Sequence, residues 1–98
     1  MPSSREIEAA LRRIGFEIDP RRGKGSHKMA FFRREGKIVI AFPFPGSGDV
    51  AAGTLASIRR SLKLTAQEFK SLIIGELSRA SYERLLSERL TTDSGDSS

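Results

Sequence analysis

Apolar residues recur at helical spacing near the start of the chain. Four of them fall at i, i+3, i+4 and i+7 and so share one helix face: Ile7, Ala10, Leu11 and Ile14. Ser3 and Glu6 have the spacing of a capping box, which predicts that the helix begins there. Gly15 follows the last apolar position and suits the left-handed residue that ends many helices.

Three short runs in the middle of the chain are rich in β-branched and aromatic residues, which predicts strands. In chain order the runs are residues 16–19, 27–33 and 38–42. Gly36 tolerates positive φ and therefore suits a hairpin turn between the second and third strands. Pro43 and Pro45 are expected to stop the third strand, because proline has no N–H to donate to a neighbour.

The aromatic residues of these strands are expected in different environments. Phe31 and Phe32 are adjacent, so their side chains point to opposite faces of the sheet. At least one of them is expected in the core. The other either stacks on a nucleic-acid base or is covered by the C-terminal helices. Phe44 stands between two prolines, and we expect it to be the most exposed aromatic side chain.

Helical periodicity returns after the third strand. Thr54 is expected to cap a helix that ends near Leu62, and Thr65 with Glu68 forms a second capping box. Gly75 is expected to break the helix that follows. Further leucines and a tyrosine then predict one more amphipathic helix.

The order α-β-β-β-α, with an extra C-terminal helix, predicts an α+β fold built on a three-stranded antiparallel sheet. The 98 residues suit a single domain, which we place at residues 1–74. Residues 75–90 are predicted to form a helical C-terminal extension. Residues 91–98 have no apolar side chain and are predicted to be a disordered tail.

Charge is unevenly distributed along the chain. Residues 1–64 hold 13 Lys and Arg against 6 Asp and Glu, a net charge of +7, whereas residues 65–98 hold 4 against 6, a net charge of −2. A basic body indicates a polyanionic partner, and a solvated basic surface is the alternative. Twelve of the 17 basic residues are arginine, which binds phosphate in a bidentate manner.

Composition excludes several kinds of site. The chain has no cysteine and one histidine, so neither a disulfide framework nor a zinc site is expected, and we predict no metal and no cofactor. No apolar run approaches the roughly 20 residues that span a bilayer, and the N-terminus lacks a signal-peptide pattern. We therefore expect no membrane association and a cytoplasmic location.

His27 is the candidate for chemistry, because its side chain alone has an ordinary pKa near neutrality. Its neighbours supply cations, glycine and a hydroxyl: Arg21, Arg22, Lys24, Gly25, Ser26 and Lys28. Cleavage of RNA requires a proton to leave the 2′-OH and a proton to reach the departing 5′ oxygen, and histidine can perform either step. Cations stabilise the charge on the phosphorane. On residue type alone, a surface histidine without a role is the commoner case.

In this order the residues resemble the HicA-type mRNA interferase toxins of bacterial toxin–antitoxin pairs. The matching stretches are Gly15-Phe16, Lys24 to Lys28, Gly36, Val39 to Pro43, Gly53 to Leu55 with Ile58, and Leu64-Thr65 through Phe69. They cover residues 5 to about 74. Each motif is weak alone, and the ordered set is fairly specific.

The resemblance implies a double-stranded-RNA-binding-domain-like fold and a ribonuclease that needs no metal. It implies that His27 matches the catalytic histidine and that a HicB-type antitoxin holds the enzyme inactive. From their adjacency to His27, we expect Lys24, Ser26 and Lys28 to position RNA or its phosphate. Arginines and lysines of the same basic loop would bind the RNA backbone.

The chain departs from the family pattern at three places. Phe42-Pro43-Phe44 lacks the histidine that members often carry after the third strand, so His27 has no second imidazole to help it. Lys63 stands where members often have glycine, which changes a helix end. Residues 75–98 exceed the usual length of the family.

Three functions remain open from the sequence. The first is an endoribonuclease that acts on mRNA, and the second is an RNA-binding module without catalysis. The third is a protein-interaction domain whose basic face docks an acidic partner. Formation of cleaved RNA separates the first from the second, and failure to bind RNA at low salt favours the third.

Overall fold

The computed structural model describes residues 2–20 and 27–96, with side chains through residue 90. Within these ranges the elements follow in the order α1 (Ser4–Arg13), β1 (Glu17–Asp19), β2 (His27–Arg34), β3 (Lys37–Pro45), α2 (Ala52–Leu62), α3 (Ala66–Ile73) and α4 (Arg79–Asp96). The fold is α+β, with helices flanking a three-stranded sheet, as predicted. No helix of the described part is long and apolar enough to cross a membrane.

The sheet has the order β1-β2-β3, and both strand pairs are antiparallel. Glu17 of β1 pairs with Phe31 of β2, which in turn pairs with Ala41 of β3. The turn between β2 and β3 has two central residues, Glu35 and Gly36, with φ of 52° and 80°. Positive φ at both central positions is typical of the type I′ two-residue hairpin, so the prediction at Gly36 is confirmed.

The core lies between one face of the sheet and the helices. The predicted apolar face of α1 is confirmed, because its four residues are all fully buried: Ile7, Ala10, Leu11 and Ile14. Alternate strand residues face them, among them Ala30 and Phe32 of β2. The ring of Phe16 lies 5.0 Å from that of Phe32 and 5.8 Å from that of Phe42.

The prediction that prolines end the third strand was wrong. β3 continues through Pro43 to Pro45, which pair with Met29 and His27 of β2. Because β3 lies at the edge of the sheet, its prolines do not need to donate to another strand. Strand alternation then carries Phe44 into the core, where it is 1% exposed rather than the most exposed aromatic residue.

Both predicted capping boxes are present. In α1 the N–H of Glu6 donates to the Ser3 hydroxyl, and the Ser3 N–H donates to the Glu6 carboxylate. Thr65 and Glu68 repeat this arrangement in α3.

The start of α2 differs from the prediction. The helix begins at Ala52, with Ala51 as an N-cap that makes no side-chain hydrogen bond, and Thr54 lies inside it. The buried Val50 donates its N–H to the Pro2 carbonyl at 3.0 Å. This long-range hydrogen bond fixes Val50, and the helix begins two residues later, before Thr54.

The extension beyond α3 completes the core. Tyr82 and Leu86 of α4 are fully buried, and the ring of Tyr82 lies 5.4 Å from Phe32. The Tyr82 hydroxyl donates to the Leu62 carbonyl at 3.0 Å, which gives its buried oxygen a partner. The backbone of α4 continues to Asp96, past residue 90, where the helical extension was expected to end.

Candidate functional site

His27 is the first residue of β2 and its side chain is exposed. Ala30 and Phe32 lie three and five positions further along β2, and their side chains enter the core. His27 is therefore on the sheet face that points away from the helices. An exposed imidazole at a strand end is accessible to a large substrate such as a nucleic acid.

Lys28 points to the opposite face of β2, toward α1. Its Nζ donates to the Glu8 carboxylate at 2.6 Å. The structure thus separates the two described members of the predicted site onto the two faces of one strand end. The other predicted members lie outside the described residues: Arg21, Arg22, Lys24, Gly25 and Ser26.

Lys28 contributes to a cleft of about 700 Å³ that we call the α1 cleft. One wall is the polar face of α1, with Arg5, Glu8 and Arg12, and the other is the segment 46–48 that follows β3. The sequence carries a signal for only one wall of this cleft. Arg5, Glu8 and Arg12 are spaced i, i+3 and i+7, which places them on one helix face.

The charges of the α1 cleft converge on one carboxylate. Glu8 accepts a hydrogen bond from Arg12 Nε at 3.1 Å as well as the one from Lys28. The hydrogen bond from Lys28 is the largest cause that lowers the pKa of Glu8 below its ordinary value of 4.5. Glu8 is therefore ionised at neutral pH, and Arg5 adds a third cation to the cleft.

Hydrogen bonds hold the two walls of the α1 cleft together. The Ser4 N–H donates to the Gly48 carbonyl at 2.8 Å, and the buried Ser4 hydroxyl donates to the Pro45 carbonyl. Gly48 has a φ of 79°, a conformation that glycine adopts without strain. The cleft is thus bounded by backbone that is fixed to the start of α1.

Arg13, which also lies off the apolar face of α1, does not line the cleft. Its guanidinium donates to the Leu72 carbonyl of α3 at 3.0 Å. Among the side chains of residues 2–20 and 27–90, no three His, Asp or Glu come together in an arrangement that could hold a metal ion.

One comparison with known proteins identifies a family. The model of a family described as the HicA toxin of bacterial toxin–antitoxin systems matches residues 4–64. This segment contains α1, the sheet, His27 and α2, and it ends before α3. No curated protein and no solved structure matches the chain.

Proposed function

We propose a function from the premise that this chain belongs to the HicA toxin family, whose model matches more than half of its 98 residues. The chain is thus the toxin of a toxin–antitoxin pair, and an antitoxin is its partner. We propose that the toxin is an endoribonuclease that cleaves mRNA without a metal, and that a HicB-type antitoxin restrains it.

The exposure of His27 at the start of β2 is the observation that supports this proposal most. An imidazole in this position can take the proton of the RNA 2′-OH or protonate the departing 5′ oxygen. The 2′ oxygen forms a bond to phosphorus and the bond from phosphorus to the 5′ oxygen breaks. The products are a 2′,3′-cyclic phosphate and a free 5′-OH, so the reaction consumes no co-reactant.

Cations beside His27 would lower the barrier by stabilising the doubly charged phosphorane. We propose that Arg21, Arg22 and Lys24 supply them, with Gly25 and Ser26 allowing the phosphate to approach the backbone. Lys28 lies next to His27 in the chain but pairs with Glu8, so we assign it to the α1 cleft.

Replacement of the histidine tests the proposal. Because His27 is exposed, His27→Ala is expected to leave the circular dichroism spectrum unchanged. It is expected to lower RNA cleavage by roughly 10²-fold or more and to remove growth arrest on expression. Gln67→Ala, which changes an exposed residue of α3, serves as the control. Cleavage at the parental rate by purified His27→Ala would contradict the mechanism.

A non-catalytic RNA-binding module is the second candidate. The α1 cleft favours it, because the cleft brings together the cations Arg5, Arg12 and Lys28 without being lined by His27. Mapping of RNA ends after incubation with the protein distinguishes the two functions. A binding module leaves the RNA intact, whereas the enzyme generates new ends that carry a 2′,3′-cyclic phosphate.

A further inference from the structure

We infer that the α1 cleft is a second RNA contact, which binds the phosphate backbone beside the cut site, and that Glu8 occupies its cations until a phosphate displaces it. The inference rests on the proposed function for the identity of the ligand. It concerns Arg5 and Arg12 of α1, which the sequence did not assign to RNA, and the carboxylate between them.

The position of the α1 cleft relative to His27 supports this inference. Lys28 follows His27 directly, and consecutive Cα atoms are about 3.8 Å apart. Pro45 is the cross-strand partner of His27, and the next residue, Gly46, lines the cleft. The cleft and the exposed imidazole therefore lie at the same end of the sheet, on either side of one strand end. An RNA strand that passes His27 can continue around this end into the cleft.

The geometry within the cleft suits a phosphodiester. Lys28 Nζ and Arg12 Nε donate to the same carboxylate, at 2.6 and 3.1 Å. A phosphodiester also presents oxygens that share one negative charge, so it can replace the carboxylate between these donors. Arg5 lies seven residues before Arg12, about 10.5 Å along the helix axis. This separation allows the two arginines to contact different phosphates of one strand.

Glu8 has two opposing effects in this arrangement. It offsets the repulsion between Lys28 and Arg12, which keeps both cations in place while the cleft is empty. It also competes with RNA, because a phosphate must replace it. Loss of the Glu8 charge is therefore expected to strengthen RNA binding, and loss of an arginine is expected to weaken it.

Binding measurements in a His27→Ala background test the inference, because the RNA then stays uncut if the proposed mechanism holds. The probe is a labelled, unstructured RNA oligonucleotide, and its fluorescence anisotropy is followed at several salt concentrations. Arg5→Ala and Arg12→Ala are each expected to weaken binding about threefold or more and to reduce the salt slope by about one. Glu8→Gln is expected to tighten binding by a similar factor and to steepen the slope.

The chain offers matched controls on α4. Glu83→Gln also removes one carboxylate that pairs with an arginine at i−4, since Arg79 Nε lies 3.7 Å from Glu83. Arg84→Ala removes one exposed arginine, which donates to Ser81 in the same helix. These variants change the net charge as the test variants do, but outside the cleft. Circular dichroism confirms that each variant is folded.

The inference is overturned if Arg5→Ala and Arg12→Ala bind RNA as tightly as Arg84→Ala. It is equally overturned if Glu8→Gln and Glu83→Gln have the same affinity, or if the His27→Ala protein binds no RNA at low salt. The proposed function is judged separately, by whether cleavage depends on His27. If cleavage requires His27 but the arginine variants bind RNA normally, the α1 cleft is rejected as an RNA contact and the proposed ribonuclease function stands.

Discussion

Gly15 connects α1 to β1 with a backbone conformation that other residues rarely adopt. Its φ is 102°, and a Cβ added there would lie 2.9 Å from the guanidinium of Arg79. Arg79 begins α4, so this turn of the family segment lies directly against the C-terminal extension. The backbone conformation therefore favours glycine here, whereas the exposed Arg79 side chain can move away from a Cβ.

Gly15→Ala is expected to lower the free energy of unfolding by about 1–3 kcal/mol, because it places a non-glycine residue at strained φ. Urea denaturation measures the change. Gly53→Ala is the control, since Gly53 lies within α2 with nothing inside 4 Å of an added Cβ. That substitution is expected to raise the free energy of unfolding by about 0.4–1 kcal/mol. Equal effects at both glycines would contradict this account.

At the same scale, the sequence predicts residue types better than it predicts their partners. His27 could be selected as a candidate because no other side chain in the chain has its chemistry. The pairing of Lys28 with Glu8 could not be predicted, because the two residues are 20 positions apart and meet only when α1 packs on the sheet. The α1 cleft depends on that packing and therefore escaped prediction as a site.

Among the elements, α3 and α4 are joined by an ion pair that also serves as a helix cap. Arg89 donates to both carboxylate oxygens of Glu68, at 2.6 and 2.8 Å. Glu68 in turn accepts from the Thr65 N–H at 2.8 Å. The hydrogen bonds from Arg89 are the main cause that lowers the pKa of Glu68 from 4.5 to about 2.

This shift predicts a pH dependence of stability. Because folding favours the ionised form of Glu68, its contribution is complete above a pH of about 4.5 and is lost as the pH falls toward 2. The difference in free energy of unfolding between the parent and Glu68→Gln is therefore expected to shrink over that range. Denaturant unfolding at pH 6, 4 and 3 measures it, with Glu83→Gln as the control. A difference that stays constant with pH would refute the assignment.

Local signals explain which elements were predictable. The two capping boxes were correct because each is a contact between residues three apart, Ser3 with Glu6 and Thr65 with Glu68. The predicted end of β3 was wrong because a strand accommodates a proline such as Pro43 when it lies at the edge of the sheet. Edge position is a property of the assembled sheet, and local sequence does not encode it.

For the whole molecule, the hydrophobic core extends beyond the segment that defines the family. The family match ends at residue 64, yet Tyr82 and Leu86 of α4 are fully buried, and the Tyr82 ring packs on Phe16 and Phe32 of the matched part. Burial also raises the pKa of the Tyr82 hydroxyl, which donates to the Leu62 carbonyl. The extension is therefore part of the fold rather than an appendage.

Tyr82→Ala tests the contribution of the extension to stability. We expect it to lower the free energy of unfolding by about 3–5 kcal/mol, because it leaves a cavity beside Phe16 and Phe32. Arg84→Ala, two residues along the same helix and exposed, is expected to stay within about 0.5 kcal/mol of the parent. Urea denaturation of both variants provides the comparison. A loss of less than 1 kcal/mol at Tyr82 would show that α4 docks only weakly.

The burial of Tyr82 has a consequence for the order in which the protein is made. A ribosome completes α1, the sheet and α2 before it synthesises the tyrosine that closes the core over Phe32. The nascent chain therefore cannot place Tyr82 beside Phe16 and Phe32 until α4 has left the ribosome. The complete core therefore forms only after α4 has been synthesised and can pack on the sheet.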